Sequence, residues 1–195
     1  MTKLRQTPSQ TVGPYFAYGL SPEQYGYNQN LSSLAGPDML IGEVEGRRIR
    51  IEGRVFDGAG NPISDALIEV WQADSLGRYA HPSDPRGSNS TFKGFGRCGT
   101  GTDRENRFWF ETIKPGAPDA AQAPHLNVVV TMRGMLLHAF TRVYFPDEPA
   151  NATDPVLNAV PAERRHTLIA THRGGNTYRF DIHMQGDGET VFFDA

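Results

Sequence analysis

The stretch Ile49-Arg50-Ile51-Glu52-Gly53-Arg54-Val55-Phe56 alternates apolar and charged side chains almost without interruption. A period of two sends successive side chains to opposite faces, so this stretch settles as a strand with one face buried. Asp57-Gly58-Ala59-Gly60-Asn61-Pro62 then reads as a turn, and Ile63 to Ala73 returns as a second strand. Further strand signals span 107–112, 125–131, 136–145, 178–185 and 190–193. Seven or so short strands can bury their apolar faces only against one another, which predicts an all-β fold, a β-sandwich. The 21 glycines and 14 prolines among 195 residues supply the turns such a fold needs.

Ahead of the strands, residues 1–46 hold no sustained periodicity. Thr7-Pro8-Ser9-Gln10-Thr11-Val12-Gly13-Pro14-Tyr15-Phe16 carries aromatic surface without alternation, which predicts an irregular N-terminal arm that packs on something. The sandwich domain is expected over 47–195. Ser21-Pro22-Glu23 predicts one short helical turn, with serine as cap and proline in the first helical position. Pro161 to Ala170 predicts a second helix, starting on proline, with Glu163 in its first turn and Leu168 and Ile169 on one side. Tyr178–Met184 and Thr190–Phe193, joined by Gly186-Asp187-Gly188, read as a hairpin.

Charge and cysteine content exclude several function classes. A formal net charge of -3 offers no basic excess for nucleic acid or an anionic membrane. The single cysteine, Cys98, rules out an internal disulfide framework and reads as a buried structural thiol. Met1-Thr2-Lys3-Leu4-Arg5-Gln6 lacks the apolar core of a signal peptide, and no apolar run approaches the ~20 residues of a membrane span, so a cytoplasmic protein is expected.

Three phrases carry chemistry. Glu69-Val70-Trp71-Gln72-Ala73-Asp74 runs on to Gly77-Arg78-Tyr79; Phe92-Lys93-Gly94-Phe95-Gly96-Arg97 follows; Thr112-Ile113-Lys114-Pro115-Gly116 leads to Ala123-Pro124-His125-Leu126-Asn127. In this order they resemble the intradiol ring-cleaving dioxygenases, which open catechols with O2 at a non-haem ferric iron. The resemblance implies a β-sandwich and a metal set of two tyrosines and two histidines. At the corresponding positions this chain has Tyr79, Pro118, His125 and Asn127, so one oxygen ligand and one imidazole are missing. Pro118 offers no side-chain donor, and an amide is a weak one for Fe(III). Gln122 stands where catalytic relatives carry an arginine, and Arg142 where they carry a glutamine, which implies a degenerate site with fixed positive charge in it.

The arm and the ending Gln185-Gly186-Asp187-Gly188-Glu189-Thr190-Val191-Phe192-Phe193 resemble one branch of that family in particular, in which a metal-free alpha chain pairs with a homologous beta chain holding the Fe(III). What the branch implies is a hetero-oligomer that cleaves protocatechuate with O2 to 3-carboxy-cis,cis-muconate, with no catalytic residue and no metal in this chain. Arg133, in Thr131-Met132-Arg133-Gly134, would fork onto the substrate carboxylate, and Gly13, Pro14 and Tyr15 would form pocket wall. A self-sufficient iron enzyme with altered ligands and a transthyretin-like binding module are the alternatives.

Taken without the resemblance, the same residues have plainer readings. Tyr79 is packing, His125 a hydrogen-bonded core histidine, Arg133 a solvated loop arginine and Trp71 a core residue. His138, His166, His172 and His183 show no ligand spacing, and the Gly94-Phe95-Gly96 segment is a tight turn rather than a phosphate loop, since no lysine or helix start follows.

Overall fold

The computed structural model describes residues 8–13, 15–27, 35–87 and 91–194. Among these residues nine strands form two sheets. They are β1 (Arg48–Phe56), β2 (Leu67–Gln72), β3 (Phe95–Gly99), β4 (Arg107–Ile113), β5 (His125–Thr131), β6 (Ala139–Tyr144), β7 (Thr171–His172), β8 (Thr177–Arg179) and β9 (Ile182–His183). The first sheet runs β4-β1-β8-β7 with β9 also paired to β1, and the second runs β3-β2-β5-β6.

The alternation in β1 does what its period demands. Ile49, Ile51, Gly53 and Val55 are buried while Arg48, Arg50, Glu52 and Arg54 face outward. From the other sheet, Ile68, Val70, Leu126, Val128 and Val130 meet them, and Phe108, Phe110, Phe145 and Tyr178 fill the same core. Each fully buried side chain of this size contributes about 1.5–3 kcal/mol. A smaller cluster of Ala123, Tyr144, Leu157, Val160 and Leu168 lies on the far side of the second sheet. There α2 (Pro155–Ala159) begins on a cap by Asp154, whose side chain accepts from the Leu157 N–H, with proline following the cap.

Several expected elements differ. β2 begins at Leu67 rather than Ile63, whose backbone N–H bonds back to Val55 within the turn. β6 begins at Ala139, leaving Leu136 and Leu137 exposed in the preceding loop. Phe95 and Gly96, expected in a tight turn with Gly94, instead open the strand β3: a side chain at Gly96 would press on Met39 Cγ at 2.8 Å and the Gly36 carbonyl at 3.0 Å, so the glycine marks a close approach. The expected helix over 161–170 is a 3-10 helix at Ala162–Leu168, preceded by Pro161. The expected turn does follow Ser21, the Tyr25 N–H bonding to the Pro22 carbonyl at 3.2 Å and the Gly26 N–H to the Glu23 carbonyl at 3.1 Å, and a helix not expected from the sequence, α1 (Phe16–Leu20), precedes it. The expected C-terminal hairpin is absent as a ladder, because β8 and β9 each pair in parallel with β1 and Phe193 bridges to Phe140.

The described part of the arm lies on this chain's own sandwich. Gln24 brackets the end of β3, donating to the Gly99 carbonyl at 2.8 Å and accepting from the Gly99 N–H at 2.8 Å. Further on, the Gly36 carbonyl accepts from Arg97 N–H at 3.1 Å in β3, while Pro37 and Met39 bond to Glu111 in β4 at 3.0 and 2.9 Å. No helix among the described residues is long and apolar enough to cross a membrane.

Candidate functional site

On the outer face of the second sheet, strand register sets Trp71, Asn127 and Arg142 in one row across β2, β5 and β6. Trp71 is half-buried there rather than in the core: Ile68, Val70 and Gln72 take the inward face, so the period of two turns Glu69 and Trp71 out. The loop after β2 then folds back over this row. Asp74 fixes it by accepting from the Leu76 and Arg78 N–H groups, both at 2.9 Å, and from the Arg78 side chain at 2.9 Å. Arg86 ties it to the neighbouring loop, donating to the Gly77 carbonyl at 2.9 Å and the Pro118 carbonyl at 2.7 Å. Gly77 has φ +78, and a Cβ there would meet the Ala117 carbonyl oxygen at 1.9 Å, so only glycine lets the two loops touch.

This arrangement lays the Tyr79 ring on Trp71, centroids 5.8 Å apart and 20° from parallel. The Asn127 amide donates to the Tyr79 hydroxyl at 3.2 Å and to the Trp71 carbonyl at 3.2 Å. Burial raises the Tyr79 phenol above its ordinary range, against the smaller opposing effects of the Asn127 hydrogen bond and the Arg142 charge.

His125, one residue pair along, is buried and bonds through Nδ1 to the Ala123 carbonyl at 2.8 Å. A carbonyl only accepts, so Nδ1 carries the proton and Nε2 the lone pair. Burial, and then the Arg142 charge, hold the imidazole down to about 4. Arg142 itself donates to Gln122 Oε1 at 3.0 Å and to the Tyr144 hydroxyl at 3.4 Å. Tyr144, pushed up to about 12 by burial, donates to Asp154 at 3.0 Å.

These side chains do not fit a ferric ion. One phenol and one imidazole nitrogen are the only suitable donors, the amide N–H is turned toward the phenol, and a guanidinium stands beside them. Among the described residues no group of three or more His, Cys, Asp or Glu could hold a metal ion. No chemical step is derived through iron in this chain.

A second site lies at the end of the sandwich where the arm meets the loop after β5. There Val12, Gly13, Phe16, Tyr18, Asp65 and Arg133 line a cavity of about 290 Å³. Arg133 is mostly exposed and forms an ion pair with Asp65. The arm is pinned to the same loop by the Gly134 N–H, which donates to Thr11 Oγ1 at 2.8 Å. Gly13 and Arg133 thus share one hollow. Tyr15 is 80% exposed outside the lining, edge-on to Tyr18 at 6.1 Å. Pro14 lies outside the described residues. His138, His166, His172 and His183 do not gather around any common point with His125, and Cys98 is buried, its thiol pushed up to about 11 by burial. Asp65 drew no attention in the sequence, although it and Arg133 each lie two residues beyond the paired positions Leu67 and Thr131.

A family model described as Dioxygenase matches residues 13–186. The protocatechuate 3,4-dioxygenase alpha chain of Burkholderia cepacia is 57% identical over 200 residues, covering 100% of both chains. The chain belongs to the intradiol ring-cleavage dioxygenase family. Within that family it is also similar to the protocatechuate 3,4-dioxygenase beta chain of Burkholderia cepacia, 37% identical over 164 residues, covering 76% of this chain and 69% of that one. Among solved structures, the dioxygenase domain of a carbohydrate-binding fusion from Streptomyces sp. SirexAA-E superposes with a TM-score of 0.60 at 22% identity, covering 91% of this chain and 97% of that one, which shows the shared fold. The sandwich expected from alternation is therefore the intradiol dioxygenase fold.

Proposed function

We propose that this chain is the alpha subunit of a protocatechuate 3,4-dioxygenase and acts in the cytoplasm on a catechol carboxylate together with a homologous, iron-bearing beta chain. The observation that carries the reading is the full-length 57% identity to an alpha chain. The Asn127 amide, bonded to Tyr79, and the Arg142 guanidinium beside it in the register support a chain that leaves the iron to its partner. In this reading residues 47–195 are the scaffold and residues 1–46 an arm that packs on the partner chain.

The role of this chain is to complete the substrate pocket. Arg133 would take the carboxylate with two charge-assisted hydrogen bonds, and Gly13, Pro14 and Tyr15 would give a wall whose backbone can approach a flat ring. The exposed Leu136 and Leu137 beside Arg133, 62% and 70% accessible, are suited to burial against another chain. Iron and O2 chemistry would then belong to the partner, and the product would be 3-carboxy-cis,cis-muconate.

The test has two arms. Metal content and the tyrosinate-to-iron charge-transfer absorption are measured on this chain alone and after co-expression with a beta chain; iron is expected only in the complex. In that complex Arg133→Ala is expected to raise the KM for protocatechuate at least tenfold, the order of one charged hydrogen-bonded contact. Unchanged kinetics would remove the substrate role, and stoichiometric iron in the isolated chain would remove the subunit reading.

A further inference from the structure

Arg133 stands at the tip of a loop with its side chain 68% exposed, where a long side chain would ordinarily sample many rotamers. It is not left to do so. Its Nε bonds to Asp65 Oδ2, and the two residues are set opposite each other by the register of the strands that carry them. Leu67 pairs with Thr131 at the ends of β2 and β5, and each chain runs two residues further to reach the ion pair.

A guanidinium has two edges able to receive a carboxylate side by side: the one made by Nε with one Nη, and the one made by the two Nη groups. Asp65 occupies the Nε position. The edge formed by the two Nη groups remains for another carboxylate, and Arg133 lines the same hollow as Gly13, Phe16 and Tyr18. Asp65 also places a negative charge beside the cation, which opposes binding of an anion. At a solvent-exposed pair that repulsion is screened, whereas the ordering of a long side chain is retained in full.

The geometry points to Asp65 as a positioning residue for substrate recognition, holding the Arg133 guanidinium by its Nε edge so that its terminal edge is presented to the carboxylate of an aromatic acid. This rests on the reading of Arg133 as the carboxylate contact. Asp65 touches no substrate in this assignment; it acts through Arg133 alone.

The experiment uses the assembled alpha/beta enzyme carrying Asp65→Ala, Asp65→Asn, Arg133→Ala or the Asp65→Ala/Arg133→Ala pair, with iron content and oligomer size checked for each. The readout is the ratio of KM for protocatechuate to KM for catechol, which lacks the carboxylate. Asp65→Ala is expected to raise the ratio roughly tenfold, the order of ordering one long side chain. Asp65→Asn, which keeps an acceptor for Nε, is expected to recover most of that loss, and Asp65→Ala is expected to add nothing on the Arg133→Ala background. A ratio unchanged or lowered by Asp65→Ala, with Arg133→Ala still raising it, would overturn the positioning role and leave the Arg133 contact standing. A ratio unchanged by Arg133→Ala would instead bring down the reading on which both depend.

Discussion

The Asn127 amide and the Tyr79 hydroxyl form a 3.2 Å hydrogen bond across the outer face of the second sheet, and Arg142 lies next to Asn127 in the strand register. Two polar side chains of this half-buried face thereby satisfy each other. The positive charge in their neighbourhood is a guanidinium held by Gln122 and Tyr144. These hydrogen bonds keep polar groups in a half-buried region from being left unpaired.

The strongest single support of that face is Asp154. Fully buried, it accepts from the Ala123 N–H, the Leu157 N–H and the Tyr144 hydroxyl at 2.8, 2.8 and 3.0 Å. Asp154→Ala is expected to cost about 3–5 kcal/mol, since three donors are stranded at roughly 1 kcal/mol or more each. Asp154→Asn is expected to cost less, as one oxygen still caps α2. Urea unfolding midpoints of the two variants measure the difference.

Acid should weaken the fold through His125. Folded, its imidazole is held down to about 4, while the unfolded chain takes the proton near 6.5. Below pH 6.5 the unfolded state therefore binds more protons. The contribution of His125 is whole above that pH and is lost as pH falls through 4, reaching about 3 kcal/mol at most. His125→Gln should show a flatter dependence of unfolding free energy between pH 7 and pH 4 than the parent chain. Equal slopes would contradict this origin.

Cys98 should be inert in the native chain. With its thiol pushed up to about 11 and fully buried, only about one molecule in a thousand is thiolate at pH 8. Iodoacetamide at pH 8 is expected to leave it unlabelled over hours, and to label it stoichiometrically in guanidinium chloride. Rapid native labelling, read by intact mass, would show that the arm over β3 opens.

Gly77→Ala is expected to destabilise by more than about 2 kcal/mol, because both the left-handed backbone and the contact with Ala117 oppose a Cβ. The displacement should also lift Tyr79 from Trp71. Tryptophan emission and the unfolding midpoint, measured together, separate this from simple loss of stability: an unchanged native emission would mean that Tyr79 does not move.

Much of the fold was legible in the chain because β1 states its faces by alternation. Trp71 was equally legible in principle, since its period places it with Glu69, but its size suggested the core and outweighed the register. β3 was hidden because Gly94, Gly96 and Gly99 punctuate it, and the reason for Gly96 is a neighbour from the distant arm, Met39. The parallel pairing of β8 and β9 with β1 could not be read locally either: a hairpin between two adjacent apolar runs closes a shorter loop, and only the whole sheet favours the alternative. At the candidate site, the sequence already shows Pro118 and Asn127 as poor donors for iron. That Arg133 has a fixed companion in Asp65 required knowing that Leu67 and Thr131 face each other.

The segment from Gly36 to Met39 bonds at once to β3 and to β4, which are the outermost strands of the two sheets on the same side of the sandwich. Those strands would otherwise display unpaired backbone groups of the kind that recruit any passing strand into an extended sheet. With that margin already spoken for, indiscriminate strand-to-strand stacking is closed off there. A chain that associates with its own homologue is left, at that margin, to choose its company by side-chain fit rather than by backbone pairing.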